Sequence, residues 1–236
     1  MAGHSKWANI KHKKELNDAK RGALFTKLVR GITMAVKEGG GGDPATNVGL
    51  RIAIERAKLA NMPRINIERA IAKAIGEGGD ALNEVLYEAI GPGGVACIIP
   101  AFTDNANRTS ALIRNTCEKN GGKMAGQGAV SYMFDRCGIV TMSTKDVTEE
   151  KAFQVAEQLE AVEISSEGDL YIITIPFTKL SAVELVLGDI PHSVDTYYRP
   201  TIEVHIDQGM AAKVEQFTEA LEELEDVEKV YTNETT

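Results

Sequence analysis

The chain has 236 residues, 43% hydrophobic and 25% charged, with a formal net charge of -8. That length supports a sizeable core in one large domain or two to three small ones, and no apolar run approaches the roughly 18 residues a membrane span requires. The three cysteines, Cys97, Cys117 and Cys137, form no C-x-x-C pair, which argues against a disulfide framework or zinc site and for buried thiols in a reducing cytoplasm.

The charge is unevenly divided. Residues 1–75 hold 15 Lys and Arg against 6 Asp and Glu, a net of +9, whereas residues 76–236 hold 11 against 28, a net of -17. A basic head of this kind attracts a polyanion, and an acidic body limits indiscriminate coating. The leader, GHSKWANIKHKK, sets Lys6, Lys11, Lys13 and Lys14 around Trp7 and His12. Such an arm neutralises phosphates, while Trp7 either stacks on an exposed base or anchors the arm to the body.

Three helices follow. The first, capped by Asn17 or Asp18, carries Leu24, Phe25, Leu28, Val29, Ile32, Ala35 and Val36 on one face and Lys20, Lys27, Arg30 and Lys37 on the other. The glycines at 39–42 stop it, Asp43 and Pro44 suit the start of the next, and Leu50, Ala53, Ile54 and Ala57 give that helix its stripe. A third helix begins near Asn66, buries Ile67, Ala70, Ile71, Ala74 and Ile75, and stops at Gly76. Together these predict a small bundle over residues 1–77.

From residue 80 the pattern changes to strands. LYEAI, VACIIPAF and VSYMF read as strands, with NRTSALIRNTCEK a helix between the last two. GIVTM, TEEKAFQVAEQLEA, VEISSE, DLYIITI, KLSAVELVLGD and SVDTYY give the split β-α-β order of ferredoxin-like folds. The helix MAAKVEQFTEALEEL and strand VEKVYTN need a sheet to join. The expected architecture is therefore a bundle, a discontinuous α+β domain at 78–136 and 201–236, and a ferredoxin-like domain inserted at 137–200.

Signatures of catalysis are missing. The four histidines, His4, His12, His192 and His205, fall in no metal-binding spacing, and no G-x-S-x-G, P-loop or dinucleotide fingerprint occurs. The glycine clusters GGGGDP, GPGG and KNGGK read as turns. A cluster of Glu203, His205 and Asp207 would be needed to revive an enzyme reading, and the acidic helix around Glu215, Glu219, Glu222 and Glu223 would serve a protein adaptor. TDNANRT places Asn105, Asn107 and Arg108 at a helix start, where they either cap backbone amides or hold an anion.

AGHSKWANIKHKK, DAKRGALFTKLVR, GGGGDPATNVGLR, NMPRINIERAI, YEAIGPGGVA, TDNANRTSALIRN and GAVSYMFDR, in this order, resemble the YebC family over essentially the whole chain. That family includes PmpR-type bacterial regulators and a mitochondrial translational activator. Ile65 stands where the family usually has an acidic residue. The resemblance implies three domains, no cofactor, no catalytic residue, and a DNA-binding transcriptional regulator of the cytoplasm; other members are described as ribosome-associated factors that relieve stalling at consecutive prolines. The combined expectation is a monomeric, non-enzymatic protein that binds nucleic acid, either DNA or ribosomal RNA, through Lys6, Trp7, Lys11, Lys13, Lys14, Lys20, Lys27 and Arg30.

Overall fold

The computed structural model describes residues 18–76 and 82–236. Helix α1 (Asp18–Glu38) packs against α2 (Val48–Leu59) and α3 (Arg64–Ile75). Ile32, Val36, Leu50, Ala57, Met62, Ile67 and Ala70 form their shared core. Ile75, expected inside, is 63% exposed. It closes the last turn of α3, and only its tip reaches the chain at Gly42.

The start of α2 differs from expectation for a local reason. The Asp43 carboxylate accepts the Ala45 N–H at 2.9 Å, forming a turn ahead of the helix. Asn47 is the cap instead: its Oδ1 accepts the Leu50 N–H at 2.9 Å, while its Nδ2 donates to Ala35 O at 2.7 Å and Gly41 O at 2.9 Å. One buried amide thus ties the end of α1 to the start of α2. Between α2 and α3, Asn61 adopts φ 57°, and the Met62 N–H donates to Ala57 O while the Asn61 N–H donates to Lys58 O, both at 2.9 Å. This is a Schellman ending, with Met62 folded back into the core.

Four strands form the sheet that follows, in order β3-β1-β2-β9. They are β1 (Asn83–Ile90), β2 (Ala96–Thr103), β3 (Lys123–Ala125) and β9 (Tyr231–Thr232), with helix α4 (Ala106–Lys119) between β2 and β3. β1 and β2 pair antiparallel around Gly91–Gly94, where Gly93 and Gly94 take φ of 71° and 79°. Only glycine enters that region without strain. α4 and α7 (Gln208–Glu222) cover one sheet face, with Ile99, Ile113, Cys117, Val214, Phe217 and Leu221 fully or almost fully enclosed.

Segment 130–134 was expected to be a strand. Instead Ser131–Met133 is a turn of 3-10 helix, because the buried Glu88 carboxylate gathers the amides of Gly128 (2.6 Å), Val130 (2.6 Å) and Ser131 (3.0 Å). These bonds curl the backbone around one point and deny it a ladder.

The chain divides into two compact units. Residues 15–134 with 200–236 make one, so the bundle and the discontinuous α+β portion belong together; residues 135–199 make the other. The inserted unit runs β4 (Phe134–Ser143), α5 (Glu149–Gln158), β5 (Glu163–Glu167), β6 (Leu170–Pro176), α6 (Val183–Leu187) and β7 (His192–Pro200). Its strand order, β5-β6-β4-β7, is ferredoxin-like. The expected helix at KLSAVELVLGD opens as a 3-10 turn over Phe177–Ala182 and continues as α6; in the turn Leu180 packs onto Gly138, where a Cβ would lie 2.6 Å from its side chain.

After the insertion the chain adds β8 (Val204–His205), which pairs in parallel with β10 (Glu234–Thr235). Asn233 lies buried between β9 and β10, accepting the Ala96 N–H through Oδ1 at 2.8 Å and donating from Nδ2 to Ile202 O at 2.8 Å. The tail is therefore fixed both to β2 and to the segment that leaves the insertion. Cys97, Cys117 and Cys137 are buried and form no disulfide, and burial pushes the Cys117 and Cys137 thiols up to about 11 and about 12.

Glu88 sets an acid limit. Burial pushes its carboxyl upward, but the amides of Val130, Gly128 and Ser131 outweigh burial and hold it below the ordinary value. A folded-state value below the unfolded one gives stabilisation that is complete above the unfolded value and lost as pH falls through the folded one. Glu88→Gln should lower unfolding free energy by about 2 kcal/mol at neutral pH. In denaturant titrations the variant should also show a shallower loss of stability below about pH 4 than the parent.

Candidate nucleic-acid interface

Lys6, Trp7, Lys11, Lys13 and Lys14 lie outside the described residues, as does the side chain of Lys20. The polar face of α1 can be followed from Gly22 onward, and it departs from the expected solvent-facing stripe. Beside β2 runs an acidic strap, Glu225–Glu228, held by Phe102 N–H donating to Asp226 O and Glu228 N–H donating to Pro100 O, each at 2.9 Å. Its side chains meet α1 and α2. Arg30 pairs with Asp226 through one guanidinium nitrogen, with Glu225 at 2.7 Å through the other, and donates to Phe102 O at 3.1 Å. Lys27 Nζ donates to the carbonyl of Glu222, and Arg56 pairs with Glu228.

Lys27 and Arg30, expected at phosphates, each have a partner within the protein. Arg30 retains only 19% side-chain exposure. For Lys27, burial lowers the ammonium pKa below the ordinary lysine value even though Glu222, Glu228 and Glu223 act to raise it. A polyanion approaching this face would meet the protein's own carboxylates first.

The proposed anion site at 105–108 is also internally occupied. The Asn105 side chain accepts the Arg108 N–H at 3.0 Å, an ordinary N-cap, and Asn107 is exposed. Arg108 pairs with Asp104 at 2.7 Å and with Asp226 at 3.2 Å. Asp226, only 6% exposed, also accepts from Thr109 at 2.5 Å and Thr103 at 3.3 Å. Burial pushes its carboxyl up, but the hydrogen bonds from Thr109, Arg108 and Arg30 leave it below the ordinary value. The Arg108 and Thr109 side chains in the first turn of α4 are thus already matched to a carboxylate of the protein, that of Asp226.

Among the described residues, the exposed cationic side chains of the bundle are Lys37 at the end of α1, Lys58 at the end of α2, and Arg64, Arg69 and Lys73 along α3. Arg64 pairs with Glu68 at 2.6 Å while staying 91% exposed. Asp207, considered above beside Glu203 and His205, caps α7 by accepting the Met210 N–H at 2.8 Å. Among the described residues no three His, Cys, Asp or Glu side chains gather as a metal site, and no helix is long and apolar enough to cross a membrane.

Sequence reading did not single out Asp226, Arg56 or Thr109. A long-range ion pair between residues about 196 apart leaves no local pattern. The one available signal was the acid-rich EELEDVE tract set against a basic helix.

The Arg30–Asp226 contact joins bundle to sheet and should behave as a coupled pair. In a double-mutant cycle of Arg30→Ala and Asp226→Asn, followed by chemical unfolding, the coupling energy should be about 1–3 kcal/mol. The single Asp226→Asn change should be the more destabilising, since it also strips Thr109 and Arg108 of a charged acceptor.

Comparison with known proteins agrees with this architecture. Residues 5–77 match the model of the TACO1/YebC protein N-terminal domain, and residues 82–234 match that of the TACO1/YebC second and third domain. A relative from Corynebacterium glutamicum, strain R, is 42% identical over 99% of this chain and 94% of its own. One from Caldanaerobacter subterraneus subsp. tengcongensis is 44% identical over 99% and 98%. Both are named "Probable transcriptional regulatory protein". The crystal structure of a conserved hypothetical protein from Aquifex aeolicus superposes with a TM-score of 0.82 at 42% identity, covering 98% of this chain and 96% of that one. From its bundle through its inserted unit to its closing strands, the chain belongs to the TACO1/YebC family.

Proposed function

We propose that this chain is a non-catalytic, nucleic-acid-binding regulator of the cytoplasm, a DNA-binding transcriptional regulatory protein of the kind its relatives are named for. The observation that carries the reading is the division of charge, +9 over residues 1–75 against -17 over the remainder. Arg30 and Arg56 are engaged with the acidic strap, and Lys27 with the Glu222 carbonyl at the end of α7. The phosphate contacts therefore fall to Lys6, Lys11, Lys13, Lys14 and Lys20, with Trp7 beside them. A polyanion bound there releases counterions, so affinity falls steeply with salt. The acidic α+β portion and the inserted unit keep the rest of the surface off the polymer.

A second reading, a monomeric translation factor held to ribosomal RNA and relieving stalls at consecutive prolines, is favoured by one feature. Trp7 lies among lysines, an arrangement suited to stacking on unpaired bases, which ribosomal RNA offers and a duplex does not. Sedimentation with ribosomes near physiological salt, set beside duplex DNA binding by the same preparation, separates the two. Duplex binding without ribosome association supports the first, and the reverse supports the second.

Changing Lys6, Lys11, Lys13 and Lys14 together to Ala should weaken binding on all sequences and reduce the slope of log affinity against log salt by about three to four. An unaltered slope in a fluorescence-anisotropy salt series would remove the leader from the interface.

A further inference from the structure

Lys27 and Arg30 of the α1 stripe are engaged internally, so the question becomes which other face of the bundle can meet a polyanion. We infer that α3 is a groove-reading helix for duplex DNA, with Arg64, Arg69 and Lys73 placed for phosphates and Ile65 for base edges. This rests on the nucleic-acid reading above and adds to it a surface that the leader does not supply.

Three observations carry the inference. First, α2 (Val48–Leu59) and α3 (Arg64–Ile75) are joined by the four-residue turn 60–63, the connectivity of a helix-turn-helix, and both pack on α1. The Schellman ending at Asn61 and the inward Met62 make the turn a fixed part of the bundle. The second helix of such a pair is the one that enters a major groove. Second, α3 buries only one face. Ile67, Ala70 and Ala74 point into the core, which leaves Arg64, Ile65, Glu68, Arg69, Ala72 and Lys73 on the exposed arc. Three cations against one carboxylate give that arc a positive balance, and Lys58 adds a fourth exposed cation beside the turn.

Third, an apolar side chain stands exposed among these charges. Ile65 is 61% exposed in the first turn of α3. The start of a recognition helix is where side chains reach base edges, and an aliphatic group there suits the thymine methyl, which only the major groove presents. The polymer is duplex DNA because its major groove, about 12 Å wide, admits a helix, whereas the deep, narrow major groove of A-form RNA does not.

The test uses the full-length chain and four variants: Arg64→Ala/Arg69→Ala/Lys73→Ala, Ile65→Ser, the four-lysine leader variant, and Lys145→Ala as an exposed cation of the inserted unit. The altered α3 side chains are exposed, so circular dichroism and melting should match the parent. Each protein is titrated with mixed-sequence duplex DNA and with a structured RNA hairpin of equal charge across a salt series. Duplexes retained by the parent from a random pool are then sequenced.

The triple variant should bind duplex at least tenfold more weakly, with a salt slope lower by about three. Ile65→Ser should keep the slope while altering the retained sequences, and Lys145→Ala should bind as the parent does. Parent-like duplex binding by the triple variant, with binding lost only in the leader variant, overturns the α3 assignment and leaves the nucleic-acid reading standing. Equal losses on hairpin and duplex overturn the choice of DNA. A parent protein that binds neither polymer overturns both the assignment and the reading beneath it.

Discussion

The Asp226 carboxylate is the contact on which much of the larger unit depends. It accepts from Thr103 at the end of β2, from Thr109 and Arg108 in α4, and from Arg30 in α1. Strand, helix and bundle are thereby referred to one buried charge. Such a charge is tolerated only because every direction around it supplies a donor, and losing one partner would expose the cost of its desolvation.

That arrangement changes what the charge count means. A surplus of +9 describes covalent composition, whereas the field reaching solvent depends on which cations the fold has already matched. Lys27, Arg30 and Arg56 face carboxylates or carbonyls of the protein, so they orient the bundle on the sheet. Arg69 and Lys73, on the far side of a helix that buries Ile67, Ala70 and Ala74, face solvent. Folding divides the basic residues into cations that hold the molecule together and cations left for another polymer.

Where side-chain periodicity was strong, the residues announced their structure. The apolar spacing of α1, α2, α4, α5 and α7, the alternation of β1 and β2 and the β-α-β-β-α-β order of the insertion were all legible, because each is a local pattern imposed by a buried face. Failures cluster where a particular side chain, distant or nearby, claims backbone amides that composition had assigned otherwise. VSYMF has strand composition, yet Glu88, more than forty residues earlier, claims three of the amides around it. Asp43 and Pro44 look like a helix start, but the amide of Asn47 satisfies three backbone partners from the next available position. β3, β8 and β10 are two or three residues long and too brief to show alternation. In the candidate interface, the α1 stripe was legible as helical geometry, but amphipathicity cannot say whether a polar side chain meets water or, as Arg30 does, the protein's own acids.

The junction of the inserted unit carries its own consequence. Met133 O accepts the Thr201 N–H at 2.8 Å, so the outgoing and returning chains touch at the point where the insertion begins and ends. To the host, some 65 intervening residues are equivalent to a tight loop closed by one hydrogen bond. After that detour β9 pairs with β2 and β10 with β8, with Asn233 bonded to the Ala96 amide between them. An excursion closed at its base in this way adds little entropic cost for each added residue, so its length is something the platform beneath it does not have to register.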